Sequence, residues 1–485
     1  MDKDEIARIV AEVLQRVENG GGVGSIPGGQ SATGGSRAGA PAGSVVFSDL
    51  ESATAASARA QAEFQGLGLK AREKILDAMR RAAIENAEPL ARMAAEETGM
   101  GRAEDKVKKN LLAATRTPGT ECLRAGAFTG DDGLTLVEFA PFGIVGAVTP
   151  STNPTSTVIN NALSILAAGN SVIFAPHPAS VRCSRETMRV LDAAIRAAGG
   201  PAGLIATIDP PSQENARAVL AHPKVRLNLV TGGPAIVQAA MSIGKACKTI
   251  AAGPGNPPVV VDETADPVKA AADVISGASF DNGVLCTAEK ETIVTQAARA
   301  GFLEAMRRDR RAFELDRPRM DAVTKLVIVE GGVGCKEPRL NRKFVGKDAA
   351  VIAAGIGLRV PPETRLLWGE VPNDHPFVWT EQLMPVMPVT AVRGVDEAIE
   401  LAYRAEGDNH HTAMMHSMHI GNLTKMGRRM AASIYVKNGP SYYGLGMGEG
   451  YATLSIGTPT GDGLTSARSF VRILHCCMVG HGRIV

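Results

Sequence analysis

Cys286 stands in SFDNGVLCTAEKE, in a turn whose Asn and Gly suit a sharp change of chain direction. A thiol presented there can attack a carbonyl as its thiolate; the same pattern also fits a buried, inert cysteine. Asn153, in VGAVTPSTNPTSTVIN, follows an apolar strand pattern. Its carboxamide N–H can hold a developing oxyanion, or its oxygen can cap the helix that Pro154 opens. Two further strand ends stand out: FAPHPAS, where His177 between Pro176 and Pro178 also fits a solvent-exposed loop histidine, and TGGPAIV, with Thr231, Gly232 and Gly233. A Gly-rich strand-to-helix turn offers backbone N–H groups to an anion, although a plain tight turn has the same composition. Glu381, in TEQLMPVMPVT, is either a ligand-holding or a surface carboxylate.

Apolar strand patterns alternate with amphipathic helix patterns through VEFAPFGIVGAVTP, NSVIFAPH, GLIATID and RLNLVTGG, which predicts a parallel α/β sheet covered by helices. Ahead of it, from Val45 to about Gly130, the pattern is Ala-rich and helical. A second α/β stretch starts near Asp262 and runs to about Gly450. The expected boundaries are therefore 45–262 and 263–450 for two α/β domains, with 451–485 as a return segment. No G-x-G-x-x-G follows a strand of the first sheet, so a standard dinucleotide fingerprint is missing.

The 485 residues exceed what one core usually serves. Lys and Arg total 52 against 50 Asp and Glu, so the net charge of +2 gives nucleic acid or an anionic membrane no electrostatic handle. No run of about 20 apolar residues is free of charge or turn residues, so no membrane partner is expected. The acidic start, with Asp2, Asp4 and Glu5, does not read as a secretion signal. Seven cysteines without a zinc-like pair of C-x-x-C elements point to the reducing cytosol, with Cys476-Cys477 read as structural. His410, His411, His416 and His419 crowd DNHHTAMMHSMHIGN, but Asp408 is the one acidic or thiol side chain within that run. They read as pocket or packing residues, and no metal is expected.

Taken together, Asn153 in TPSTNPT, His177 in FAPHPAS, the TGGP turn, Cys286 in DNGVLCTAEKE and Glu381 before LMPVMP resemble the aldehyde dehydrogenase superfamily in order and spacing. FAPHPAS, AAGPGNPPVVVD, DNGVLCTAEKE and LMPVMP resemble its acylating branch, which makes acyl-coenzyme A in propanediol and ethanolamine utilisation. The resemblance implies a variant Rossmann cofactor domain at 45–262 beside an α/β catalytic domain at 263–450, with 131–143 and 451–485 joining a small oligomerisation strand element. It implies a nucleophile at Cys286 and an oxyanion site from the Asn153 side chain with the Cys286 backbone N–H. It further implies a nicotinamide coenzyme, NAD by preference, held by Thr149, Pro150, Thr231, Gly232, Gly233 and Glu381. Pro176, His177 and Pro178 fall in the region for the nucleotide and coenzyme A, and Glu381 at the nicotinamide ribose. A homodimer or homotetramer is expected, since LTSARSFVRILHCC resembles the oligomerisation strand.

Hydrolytic members release their thioester with a glutamate that activates water; here that place is Ala252. From Asn215 through Val261 there is neither Asp nor Glu, so no small shift recovers the base. A thiol needs less help, because a pKa of about 8.5 already leaves a few per cent thiolate at neutral pH. Lost base assistance, worth about 10²- to 10⁴-fold, therefore penalises water more than coenzyme A. The expected product is acyl-coenzyme A from a short aldehyde, propionaldehyde before acetaldehyde. Two alternatives remain: a hydrolytic enzyme giving free acid, and a non-catalytic assembly adaptor.

Residues 1–18 place Ile6, Ile9, Val10, Val13, Leu14 and Val17 on one helical face, and 19–44 form a Gly/Pro/Ser-rich tether. Such tails resemble the encapsulation peptides of bacterial microcompartment enzymes. That resemblance implies shell or cargo proteins as partners and a cytoplasmic location inside a microcompartment; a helix folded back on its own domain is the alternative.

Overall fold

A computed structural model describes residues 44–485 except 336, together with Arg8, Ala11, Leu14 and Gln15. The apolar runs of the first half become a six-stranded, all-parallel sheet. Its spatial order is Val46–Phe47, Ile205–Ile208, Ser171–Pro176, Ile144–Thr149, Val225–Thr231, Lys248–Ala252. Ile144–Thr149 is buried along its whole length, as a strand covered on both faces must be. The chain moves outward in one direction from this strand and then returns to its other side at Val225–Thr231. That reversal opens a crevice at the carboxyl ends of the two strands, where ligands of open α/β sheets bind.

The Ala-rich stretch supplies the helices Leu50–Gly66, Gly68–Glu85, Ala87–Thr98 and Ala103–Arg116. It is more than a helical lead-in, because Val46–Phe47 is itself the edge strand of the first sheet. Two residues are too short for any periodic signal.

The second half forms a seven-stranded parallel sheet in the order Ala312–Glu314, Leu366–Glu370, Val386–Val392, Glu291–Thr295, Pro258–Val261, Thr412–His416, Ile434–Lys437. Pro258–Val261 lies near its middle, so the sheets part between Ala252 and Pro258, a few residues before the boundary expected at 262. A strand between two others must be apolar on both faces, and PVVV meets that need in either sheet; sequence pattern alone does not assign it.

Gly126–Gly130, Gly133–Pro141 and Val471–Val479 form a separate three-stranded antiparallel sheet. Phe128, Ile473, Leu474, Met478 and Val479 lie exposed on it. Cys476 and Cys477 are exposed there too, and not packed inside. Residues 451–470 return across the first domain, where Ser455 Oγ meets Asn161 Oδ1 at 3.1 Å. Of the expected N-terminal stripe, Leu14 is described; it is half-buried and packs against the core of the first domain. The rest of the stripe and the tether lie outside the described residues. Among the described residues no helix is long and apolar enough to cross a membrane.

Candidate active site

Cys286 sits in the loop between helix Pro267–Ser279 and strand Glu291–Thr295, and is half-buried. Three consecutive residues of that loop adopt positive φ: Asp281 (48°), Asn282 (56°) and Gly283 (68°). Asn and Asp tolerate this left-handed region better than other side chains, and Gly has no Cβ to object. The reversal is held from several sides. Lys290 Nζ, buried, donates to Gly283 O (2.7 Å) and Leu285 O (3.2 Å). Asn282 Nδ2 donates to Gly346 O (3.0 Å) and to Asp348 Oδ1 (2.9 Å).

Burial pushes the Cys286 thiol up to about 12, and the Glu381 carboxylate adds to the rise. Lys290 and Lys109 oppose it, as does the residue's own backbone N–H, which lies close enough to the sulfur to favour negative charge there.

Asn153 occupies the cap position of helix Pro154–Ala167, yet its side chain makes no capping bond. Its Oδ1 accepts from Lys109 Nζ at 2.5 Å, and its Nδ2 donates to Thr152 Oγ1 at 3.2 Å. The capping alternative therefore gives way to a carboxamide turned toward a buried ammonium. Lys109 also bonds Asp281 of the nucleophile loop, which brings Asn153 and Cys286 into one constellation.

Glu381 is half-buried. Burial raises its carboxyl to about 7, against the pull of Lys290 and the backbone N–H of Gly255. Gly255 is itself a close-approach position: a Cβ there would lie 2.9 Å from His411 Cγ and 3.1 Å from the Cys286 carbonyl oxygen. His411 thus stands behind the nucleophile. It is fully buried, its Nδ1 meets the hydroxyl of the next residue, Thr412 Oγ1, at 2.8 Å, and its Nε2 has no partner. Burial lowers its pKa to about 4, so the ring is neutral at pH 7.

The other histidines of the run go elsewhere. His416 is buried near Asp273, His419 caps helix Ile420–Met430, and His410 Nδ1 meets Met430 O. Among the described residues no group of three His, Cys, Asp or Glu side chains could hold a metal ion.

Thr149 and Pro150, with Thr231, Gly232 and Gly233, lie at the carboxyl ends of the two strands that flank the crevice. Thr149 Oγ1 is buried without a partner. Gly233 precedes helix Pro234–Met241 with no side-chain cap, which leaves first-turn N–H groups open, although Pro234 contributes none. An orphan hydroxyl beside uncapped amides fits a phosphate-bearing coenzyme. Pro176, His177 and Pro178 end the neighbouring strand; the exposed His177 accepts at Nδ1 from Ala179 N (3.1 Å), and partial desolvation by the protein around it, then the charge of Arg342, depress its pKa. Ala252 ends strand Lys248–Ala252 and offers the crevice only a methyl group and a carbonyl that accepts from Gly232 N.

Lys109, Lys290, Gly255, His411 and Arg342 were not singled out as site residues from sequence. His411 carried a signal, its place in a histidine-rich run. Lys109 carried none, because KVKK on an amphipathic helix reads as a solvated face, and Lys290, between Glu289 and Glu291, reads as one charge among several.

The sequence model described as the aldehyde dehydrogenase family matches residues 38–447. The acetylating acetaldehyde dehydrogenase EutE of Salmonella typhimurium is 48% identical over 444 residues, 91% of this chain and 93% of that protein. The crystal structure of the Rhodopseudomonas palustris propionaldehyde dehydrogenase with bound CoA and an acylated cysteine superposes with a TM-score of 0.86 at 45% identity, covering 90% of this chain and 98% of that one. A propionaldehyde dehydrogenase from the Clostridium phytofermentans fucose utilisation microcompartment also has a TM-score of 0.86, at 39% identity over 91% of this chain and 99% of that one.

Proposed function

The chain belongs to the aldehyde dehydrogenase family, and we propose that it converts a short aliphatic aldehyde to its acyl-coenzyme A through a thioester on Cys286. The observation that carries this reading is Ala252, a methyl group where a hydrolytic member keeps its water-activating glutamate, in a stretch without acidic residues. The acetylating and CoA-bound relatives support it.

The Cys286 sulfur gives its proton to solvent or to the Glu381 carboxylate in electrostatic range, and bonds the aldehyde carbon. The carbonyl oxygen becomes an oxyanion, which Asn153 Nδ2 and the Cys286 N–H stabilise as charge develops. Thr149, Pro150, Thr231, Gly232 and Gly233 would hold the nicotinamide coenzyme, with Glu381 at its ribose; the coenzyme, when bound, accepts hydride from the substrate carbon. The thioester remains on Cys286. The coenzyme A sulfur gives up its proton, bonds the acyl carbon and displaces the Cys286 thiolate; His411, neutral and with Nε2 unpartnered, is the base we assign to that proton. Pro176, His177 and Pro178, with Arg342 beside them, supply the region for the phosphate-bearing end of coenzyme A.

NAD is favoured as coenzyme, and propionaldehyde before acetaldehyde, although one methylene is worth only ~1–3 kcal/mol in a pocket. The exposed three-stranded sheet, with Phe128, Ile473 and Val479 uncovered, supports a homodimer or homotetramer built on it. Residues 1–18 are proposed to bind shell or cargo proteins inside a cytoplasmic microcompartment, a reading supported by the microcompartment origin of a relative.

The test is mass spectrometry of Cys286 after aldehyde and NAD, followed by a coenzyme A chase. An acyl adduct that persists in buffer and leaves as acyl-coenzyme A is the expected result. Rapid loss to free acid before the chase would favour the hydrolytic reading, for which Glu381, a carboxyl in electrostatic range of the thiol, is the available base.

A further inference from the structure

We infer that Lys109 is a positioning residue for the oxyanion site, fixing which atom of the Asn153 carboxamide faces the reacting carbonyl and tying that carboxamide to the Cys286 loop. The inference rests on the reading of Asn153 as an oxyanion donor.

Lys109 projects from helix Ala103–Arg116 into the interior, its side chain 1% exposed. Its ammonium donates to Asn153 Oδ1 and to Asp281 Oδ2. An ammonium carries protons and no acceptor. The amide must therefore present its oxygen to Lys109, since the flipped amide would set N–H against N–H in a buried place. With Oδ1 engaged, Nδ2 points the other way. One of its hydrogens goes to Thr152 Oγ1, and the second is left for a substrate oxygen. Withdrawal of electron density through Oδ1 also makes that N–H a stronger donor.

The second oxyanion donor, the Cys286 backbone N–H, is placed by the loop that begins at Asp281. This carboxylate accepts from Arg102 N (2.7 Å), Lys106 Nζ (3.0 Å) and Lys109, while its own N–H donates to Asp105 Oδ2 (3.0 Å). A single buried cation thus touches both halves of the site, the amide carried beside the first sheet and the loop carried by the second. Lys106, one helical turn away, does not duplicate it: its Nζ reaches Thr152 O and Asp281, and not the amide.

The experiment follows the NADH burst without coenzyme A, at saturating NAD and propionaldehyde, in the wild type, Lys109→Met, Asn153→Ala and the double variant. Loss of an oxyanion donor slows such a step by about 10²- to 10³-fold, which is expected of Asn153→Ala. Lys109→Met should slow the burst by about 10-fold or more with little change in the aldehyde KM, and the double variant should be no slower than Asn153→Ala alone. An unchanged burst in Lys109→Met overturns the inference. So does an equal slowing with and without the Asn153 side chain, which would mean that Lys109 merely holds the loop. If Asn153→Ala alone leaves the burst unchanged, the oxyanion reading itself fails, a separate result. Should Lys109→Met not fold because Asp281 has lost a countercharge, Lys109→Met with Asp281→Asn is compared with Asp281→Asn alone, and the same coupling to Asn153 decides.

Discussion

The Cys286 thiol is held neutral in the resting protein, and this constrains how it becomes a nucleophile. With its pKa pushed up to about 12, far less of it is thiolate at pH 7 than of a free cysteine. Deprotonation must then follow a change in the site, either a gain of positive charge or a base brought to the sulfur. Glu381 can act in two opposite ways here. As a fixed negative charge it keeps the thiol protonated, whereas as a base near pKa 7 it would remove the proton. Glu381→Gln separates these roles. If the charge dominates, the thiol pKa falls and alkylation of Cys286 by iodoacetamide at pH 8 speeds up by about 10-fold, while aldehyde oxidation slows because the coenzyme ribose loses its partner. Slower alkylation would instead make Glu381 the base. In either case the alkylation rate of the wild type should climb steadily with pH through 10, since the thiolate fraction rises tenfold per pH unit below the pKa.

The run Asp281, Asn282, Gly283 is the element on which the nucleophile turns. A Cβ on Gly283 would lie 2.9 Å from Met384 O and 3.0 Å from Ala278 O, at a φ that a substituted residue adopts at a cost of about 1–2 kcal/mol. Gly283→Ala is expected to lower the unfolding free energy by about 1–3 kcal/mol in denaturant titrations, and to depress acylation of Cys286 more than the fraction unfolded accounts for. Unchanged acylation would show that the loop beyond Gly283 is placed independently of it. DNG followed by a cysteine could be read from sequence as a turn presenting a thiol, because these residue types have narrow conformational uses. Asn153 and Glu381 stood out for a different reason, their place in spaced motifs. Lys109 and Lys290 were not, since a buried lysine declares itself only through partners: Asp281 lies 172 positions from Lys109 in the chain. Pro258–Val261 was misplaced by a neighbouring limit, as an apolar strand does not say which sheet will pair with it.

At the scale of the whole molecule, two parallel sheets supply the crevice and the nucleophile loop, and two features have no part in that chemistry as proposed: the exposed antiparallel sheet and the apolar stripe in the sequence of residues 1–18. The N-terminal stripe has two possible uses. Leu14 rests against the core of the first domain, so the segment could belong to the fold; its apolar face on a long tether could equally be offered to another protein. Stability decides between them, because an apolar side chain that packs into a core contributes about 1.5–3 kcal/mol when fully buried and nothing to packaging. Deletion of residues 1–18 is expected to leave coenzyme A-dependent turnover within about twofold of the full chain and the melting temperature nearly unchanged, since a half-buried Leu14 contributes only part of that range. Co-sedimentation with purified microcompartment shells should be lost in the same deletion. A melting temperature lowered by several degrees, with co-sedimentation retained, would assign the segment to the fold and remove the ground for a tethered recognition helix.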